Sequence, residues 1–397
     1  MDNNPDTGAA MILIVDDNPK NLQVLGNYLQ LEDFLVEFAM NGESALDWIR
    51  RVEFDLILLD IMMPGMDGFE VCKIIKNVPL NQNTPVIFLT AKIDTDSIVN
   101  AFDLGAVDYV IKPFKQKELI ARVKTQIEIK RGRDEIAKNL KDIALKNKLI
   151  TYSIEYAQKI QAAVLRASQN GSELFGEMFC LILPKDIVSG DFYWFYKTEN
   201  KLLAGVFDCT GHGIPGAFMS MLGVTLLNET VIREKITEPN LILDRLREKI
   251  VKALGQKGNI SEVKDGMDGS IISYDLSTRI LIYSGAFNPV YLIRDNNIIE
   301  FNGDRMTLSY QDKILDFSRQ EIKTKQKDLV YLFTDGFVDQ FGGQEDKKFR
   351  RDQFKQTLLK IHTNPLEVQK ELLLDTYNKW KGNRDQVDDI TVVGLRL

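Results

Sequence analysis

Residues 55–70 read DLILLDIMMPGMDGFE, an apolar run that ends on a carboxylate, Asp60, and then turns through Pro64 and Gly65. Leu and Ile without alternation suit a strand buried on both faces, as in a parallel sheet covered by helices. Similar runs occur at Met11–Val15, Val86–Leu89 and Tyr109–Ile111, with a weaker one at Leu35–Phe38. Helical patterns fill the gaps, as at Asn21–Leu31 and Gly42–Val52. This βαβα rhythm predicts a doubly wound α/β domain over residues 11–128.

Polar residues stand just past these strands: Asp16 and Asp17, Asp60, Thr90, and Lys112 before Pro113. The carboxyl ends of parallel strands form one crevice, so the five converge. Singly, each reads as an ordinary cap, turn or solvated residue; the case rests on all of them in order. Three carboxylates suit Mg²⁺, which offsets repulsion between Asp60 and an incoming phosphoryl group. Lys112 and Thr90 offer a charge and a hydroxyl to phosphoryl oxygens.

These residues stand in ILIVDDN (12–18), the opening stretch, VIFLTA (86–91) and DYVIKPF (108–114), and together resemble the receiver domain of two-component response regulators. The resemblance implies a flavodoxin-like fold and a sensor histidine kinase that loads Asp60. It also implies Mg²⁺ held by Asp17, Asp60 and the Met62 carbonyl, with Asp16 acting partly through water. Tyr109 matches the aromatic that moves inward after phosphorylation.

From Ile129 the pattern changes. Ile129, Ile136, Ile143, Ile150, Ala157 and Val164 recur every seven residues, and Arg133, Leu140, Asn147, Ile154 and Gln161 form a second register offset by four. A 4-3 repeat predicts a coiled-coil linker over residues 129–168 that joins two chains as a parallel homodimer. Polar seam residues would fix its register. A single amphipathic helix packed on the next domain is the alternative.

Residues 169–397 are β-rich, with strands expected at Phe179–Leu183, Phe192–Tyr196, Leu202–Phe207, Ser270–Asp275, Ile280–Ser284, Val290–Ile293, Leu329–Phe333 and Thr391–Leu395. Helical patterns interrupt at Gly216–Lys235, Asn240–Leu254, Arg351–His362 and Leu366–Trp380, which predicts an α+β sandwich. Carboxylates border the apolar runs at Asp191, Asp208, Asp335, and Asp388 with Asp389. Buried charges must be paired or coordinated. With two histidines and no thiolate cluster in the chain, two divalent cations shared by carboxylates are the economical solution.

KDIVSGDFYWF (185–195), DCTGHGIPGAFMSMLG (208–223), SGAFNPVYLIR (284–294), FTDGFVDQFGG (333–343) and DDITVVGLRL (388–397) resemble the metal-dependent protein phosphatase (PPM) family, in its bacterial SpoIIE branch. The likeness runs from about Tyr156 onward and implies two packed antiparallel sheets with helices outside. It implies two Mn²⁺ or Mg²⁺ ions and direct hydrolysis of phosphoserine or phosphothreonine. Asp208 would bridge both ions, Asp335 and Asp388 would complete one, and Asp191 with the Cys209 carbonyl would serve the other. His212 is read first as a loop-structuring residue, with proton donation as the alternative, and Asp186 as a helper acid or a turn residue. Gly269 and Phe287 depart from the usual polar residues and bear on substrate choice. The implied substrate is a phosphorylated STAS-domain anti-sigma antagonist. The rival reading is a catalytically silent adaptor that binds a regulatory partner.

Composition bounds these readings. The 397 residues call for several domains, and a net charge of -7 argues against nucleic acid as a partner. Three scattered cysteines suit a reducing cytoplasm. Residues 1–10 are polar and expected to be disordered, and no apolar run approaches the roughly 20 residues that span a bilayer. The expectation is a soluble, cytoplasmic protein without membrane contact.

Overall fold

The computed structural model describes residues 8–91, 95–166, 174–257, 265–313 and 315–397. The chain divides into two compact units, 1–147 and 148–397. In the first, strands β1 (Met11–Val15), β2 (Leu35–Ala39), β3 (Leu56–Asp60), β4 (Val86–Thr90) and β5 (Asp108–Ile111) form a parallel sheet in the order β2-β1-β3-β4-β5. This is the doubly wound order, with α1 (Pro19–Gln30), α2 (Gly42–Ile49), α3 (Gly68–Ile75) and α4 (Thr95–Asp103) as crossovers. Every residue of β3 and β4 is buried, as their continuous apolar character requires. Alternate residues feed two cores: Leu13, Ile57 and Phe88 on one face, Ile12, Leu58 and Leu89 on the other.

Two boundaries differ from expectation. Ala10 is 2% exposed and its carbonyl accepts the Leu35 N–H at 2.9 Å, so the first sheet's packing reaches into the segment expected to be disordered; residues 1–7 lie outside those described. Nor does any break occur at residue 129. Helix α5 runs from Gln116 to Arg166 without interruption, because its first turns already carry an apolar stripe of Leu119, Ile120, Val123 and Ile127 that packs into the first unit's core.

Along α5 the heptad positions divide into two groups. Ile136, Leu140, Ile143 and Ile150 are 62%, 62%, 54% and 57% exposed, so their stripe is uncovered among the described residues. Further on, Gln161 and Leu165 are buried and Val164 is partly buried against the second unit's core. Gln161 is therefore not a free seam residue; its amide finds backbone and hydroxyl partners inside the second unit. Residues 167–168, the last of the expected linker, lie outside those described.

The second unit stacks two antiparallel sheets. One has the order β13-β10-β9-β8-β7, built from β7 (Phe192–Lys197), β8 (Lys201–Cys209), β9 (Met267–Asp275), β10 (Ile280–Ala286) and β13 (Gln320–Lys323). The other contains β6 (Met178–Leu183), β11 (Val290–Arg294), β12 (Asn297–Phe301), β14 (Leu329–Phe333) and a final strand, Ile390–Arg396, in the order β12-β11-β14-final-β6. Ala204, Val206 and Ile272 meet Leu292, Val330, Leu332 and Val393 between the sheets. Leu203 and Phe207, on the opposite pleat of β8, pack under α6 (Gly213–Asn228) and α7 (Pro239–Ala253). The outer face of the second sheet is covered by helices Arg351–Ile361 and Leu366–Lys381. Strands β12 and β13 escaped the sequence reading because each is short and only partly buried, so neither shows a strong apolar signal. No helix among the described residues is long and apolar enough to cross a membrane.

Candidate functional site

The sheet of the first unit delivers its polar residues to one end. Asp16 is fully buried after β1, Asp60 closes β3 at 4% exposure, and Lys112 follows β5. The Lys112 Nζ donates to Asp16 Oδ2 at 2.8 Å and Asp60 Oδ2 at 2.7 Å. Asp16 also accepts the Asn18 N–H at 2.9 Å and the Asn21 amide at 2.9 and 3.0 Å, so its oxygens are saturated. Among the described residues Asp60 Oδ1 receives a long 3.4 Å bond from the Met62 N–H. Burial raises the Asp60 carboxyl, against the hydrogen bond and charge of Lys112. For Lys112 burial works downward, but its bonds to Asp16 and Asp60 outweigh it and the ammonium is held above its ordinary value.

Asp17 is exposed beside this pair, and carboxylate oxygens of Asp16, Asp17 and Asp60 lie within 4.8 Å of one another, a spacing one cation can bridge. Thr90 ends β4 at 8% exposure, and its carbonyl accepts the Lys112 N–H at 2.8 Å. Tyr109 packs partly buried against the core, edge-on to Phe102 at 6.4 Å. The Met62 side chain is 77% exposed on the loop beyond Asp60.

In the second unit Asp208, Asp268 and Asp388 line a cavity of about 430 Å³ together with Cys209, His212, Phe287 and Thr307. Asp208 on β8 stands in register with Asp268 on β9, an arrangement of like charges that opposes pairing unless something offsets it. Asp208 is held well above the ordinary carboxylate range by burial and then by Asp191, Asp335, Asp388 and Asp268. Asp191 is 2% exposed and raised too, by burial first and then by Asp389 and Asp388, while the Thr334 hydroxyl bound to its Oδ2 at 2.6 Å opposes the shift. Burial, Asp339 and Asp388 raise Asp335. Asp268 is pushed up to about 6, again chiefly by burial. Among the described residues, Asp191 Oδ1 and Asp268 Oδ1 are buried without a hydrogen-bond partner.

Adjacent Asp388 and Asp389 have separate tasks. Asp389 is 3% exposed and spends its oxygens on the N–H groups of Lys185 and Gly190, each at 2.7 Å, which clamps the loop carrying Asp191. Asp388 faces the cavity. Gly211 and Gly213 adopt positive φ, 86° and 66°, on either side of His212, a conformation only glycine takes freely. His212 Nδ1 lies 2.7 Å from Asp186 Oδ2, and both side chains are about half exposed. Phe287 holds φ at 58° with its ring 43% exposed at the cavity.

Three residues at this site were not singled out as site residues from the sequence: Asp268, Thr334 and Gln161. Asp268 carried a signal, a carboxylate opening an apolar run as Asp208 closes one. Thr334 and Gln161 carried none, because their partners are far away in the chain.

The profile of Stage II sporulation protein E (SpoIIE) matches residues 198–397, half of the chain. The chain belongs to the SpoIIE family. A solved structure described as the SiaA-PP2C domain of Pseudomonas aeruginosa is 31% identical with a TM-score of 0.58, and the alignment covers 64% of this SpoIIE-family chain and 99% of that one. Residues 12–124 match the response regulator receiver domain. Over 135 residues the chain is 42% identical to the DNA-binding response regulator MtrA of Mycolicibacterium smegmatis, covering 34% of this chain and 57% of that protein. Over 118 residues it is 42% identical to the transcriptional regulatory protein ResD of Bacillus subtilis, covering 30% and 48%. The chain thus spans about half the length of these curated relatives. This SpoIIE-family chain carries a receiver domain, a long helical linker and a PP2C-type phosphatase domain.

Proposed function

We propose that a sensor histidine kinase phosphorylates Asp60 and thereby controls a divalent-metal-dependent phosphatase acting on phosphoserine or phosphothreonine in a protein. The observation that carries the phosphatase reading is a cavity lined by Asp208, Asp268 and Asp388, with Asp191 and Asp335 near enough to raise Asp208, and with Asp191 Oδ1 buried and unpartnered among the described residues. An all-oxygen donor set with an orphaned buried oxygen fits hard divalent cations. Asp208 would bridge two Mn²⁺ or Mg²⁺ ions, Asp335 and Asp388 would hold one, and Asp191 with the Cys209 carbonyl would hold the other. When bound, such ions offset carboxylate charge and activate water toward phosphorus. The chain supplies the rest: Asp389 and Thr334 fix the Asp191 loop, and His212, paired with Asp186, would structure the loop at the rim, with proton donation to the departing oxygen as the alternative.

In the receiver Asp60 would accept the phosphoryl group, Asp17, Asp60 and the Met62 carbonyl would hold Mg²⁺ with Asp16 acting partly through water, and Lys112 and Thr90 would contact the phosphoryl oxygens. Tyr109 follows the switch. The exposed stripe of α5 supports a homodimer through the linker. The substrate is a phosphorylated STAS-domain anti-sigma antagonist, by analogy with the family. The deciding experiment is hydrolysis of p-nitrophenyl phosphate with and without Mn²⁺. Turnover that needs Mn²⁺ and vanishes in Asp208→Asn supports the enzyme; absent or metal-independent turnover overturns it.

A further inference from the structure

Phe287 follows β10 at the turn into β11 and is one of the residues lining the cavity of Asp208, Asp268 and Asp388. Its φ is 58°, and an aromatic residue in the left-handed region is held there against its own preference. Hydrogen bonds lock the turn. The Phe287 N–H donates to the Asp304 carbonyl at 2.9 Å, and the Asp304 N–H donates to the Gly285 carbonyl at 2.8 Å. The Asn288 N–H donates to the Ala286 carbonyl at 2.7 Å, and the buried Tyr283 hydroxyl donates to the Asn288 carbonyl at 2.7 Å. A Cβ added to Gly303 would stand 3.1 Å from the Phe287 nitrogen and from its carbonyl carbon, so the neighbouring chain is packed against this backbone.

An exposed apolar side chain is ordinary on a protein surface, but a strained one at the mouth of a polar cavity is not. Glycine or asparagine would take this φ at little cost, yet the turn carries a ring that is 43% exposed. Around it the wall is polar, with Thr307, Asp268 and Asp388. His212 of the same wall leads into α6, whose first turns leave Ile214 and Phe218 exposed. The site therefore combines a group of carboxylates with apolar side chains open to solvent. A free phosphate ester has use only for the first. A phosphorylated protein segment has side chains on both sides of its phosphate that can cover the second.

We infer that Phe287 is a specificity-determining residue that selects protein segments with an aliphatic side chain next to the phosphoserine or phosphothreonine. This rests on the phosphatase reading of the cavity and adds what the substrate carries beside its phosphate. The ring covers the neighbouring side chain and takes no part in the chemistry at phosphorus. Because the turn is locked before a substrate arrives, its backbone needs no ordering on binding.

The test is Mn²⁺-dependent hydrolysis, by the full chain, of two short peptides that differ only beside a central phosphoserine, which is flanked by leucines in one and by glutamines in the other. The parent should favour the leucine peptide about tenfold in kcat/KM, the scale of one apolar contact. Phe287→Asn and Phe287→Gly both suit the positive φ and should bring that ratio to within about twofold of unity, with the loss carried by the KM of the leucine peptide. Phe287→Tyr keeps an aromatic face and should keep the preference. Phe287→Gly also relieves the strain, so it decides the matter if the Phe287→Asn chain does not fold. A parent that treats the two peptides alike overturns the inference, as does a preference that survives in Phe287→Gly. Hydrolysis of p-nitrophenyl phosphate separates the two readings. If it proceeds with Mn²⁺ while neither peptide is cleaved, the role of Phe287 has failed; if it is absent as well, the phosphatase reading has failed first.

Discussion

In the receiver, Asp16 and Asp60 share the ammonium of Lys112, at 2.8 and 2.7 Å, whereas in the phosphatase domain none of Asp191, Asp208, Asp268, Asp335 and Asp388 forms an ion pair among the described residues. The first pocket carries its own countercharge and stays folded around a charged pair. The second has carboxylates raised by burial and mutual repulsion, so it must hold either protons or cations. One pocket is built to exchange a ligand against a resident lysine. The other has no such partner among the described residues.

The largest expected effect falls on the pocket without a countercharge. Asp208→Asn should lower Mn²⁺-dependent hydrolysis of p-nitrophenyl phosphate by about 10³-fold, the scale of losing a principal electrostatic group. A fall of less than about tenfold would show that the bridging position lies elsewhere. In the receiver, Asp60→Asn should abolish labelling by acetyl phosphate while leaving phosphatase-domain Mn²⁺ binding unchanged, and persistent labelling would reassign the acceptor.

Acidity sharpens the contrast. Because Asp191 and Asp208 are raised in the folded state, the folded metal-free chain binds more protons than the unfolded chain above about pH 4, the ordinary carboxylate value. This contribution to stability is complete below that value and is lost as pH rises through the raised ones. Metal-free protein scanned by calorimetry between about pH 5 and 8 should show the phosphatase transition falling by several degrees, roughly 2–4 °C per kcal/mol for a domain of this size. Saturating Mn²⁺ should restore it at the upper end. The receiver transition should move less, since Lys112 lies against Asp60; equal shifts in both would break the comparison.

The smallest effect on stability belongs to the linker. Ile143→Glu with Ile150→Glu changes residues 54% and 57% exposed in one chain, so each unit should keep its stability to within about 0.5 kcal/mol. Light scattering should nonetheless report a halved mass, and an unchanged mass would remove the coiled coil.

Much of the receiver could be read because the candidate site residues Asp16, Asp60, Thr90 and Lys112 stand at the ends of apolar runs. Continuous runs mean a parallel sheet, and a parallel sheet has one functional end. The phosphatase carboxylates were readable for a similar reason: charge beside buried strands is costly enough to demand an explanation. The linker was only half readable. Its repeat is periodic through Val164, but periodicity does not say whether a stripe meets a second chain or the same one. Ile143 and Ile150 remain bare while Gln161, in the same pattern, is buried.

Sequence alone determined the order of domains, the strand-end residues Asp16, Asp17, Asp60, Thr90 and Lys112, and the carboxylates Asp191, Asp208, Asp335 and Asp388, because apolar patterning and charge placement are local properties of a chain. Only the tertiary structure decided that Asp389 is spent on the backbone of residues 185 and 190, that Asp268 stands opposite Asp208, and that Gln161 grips Ser189. Each of those is a contact between segments distant in the sequence or set by strand register. No local pattern encodes which buried donor a given acceptor will meet once the sheets have closed.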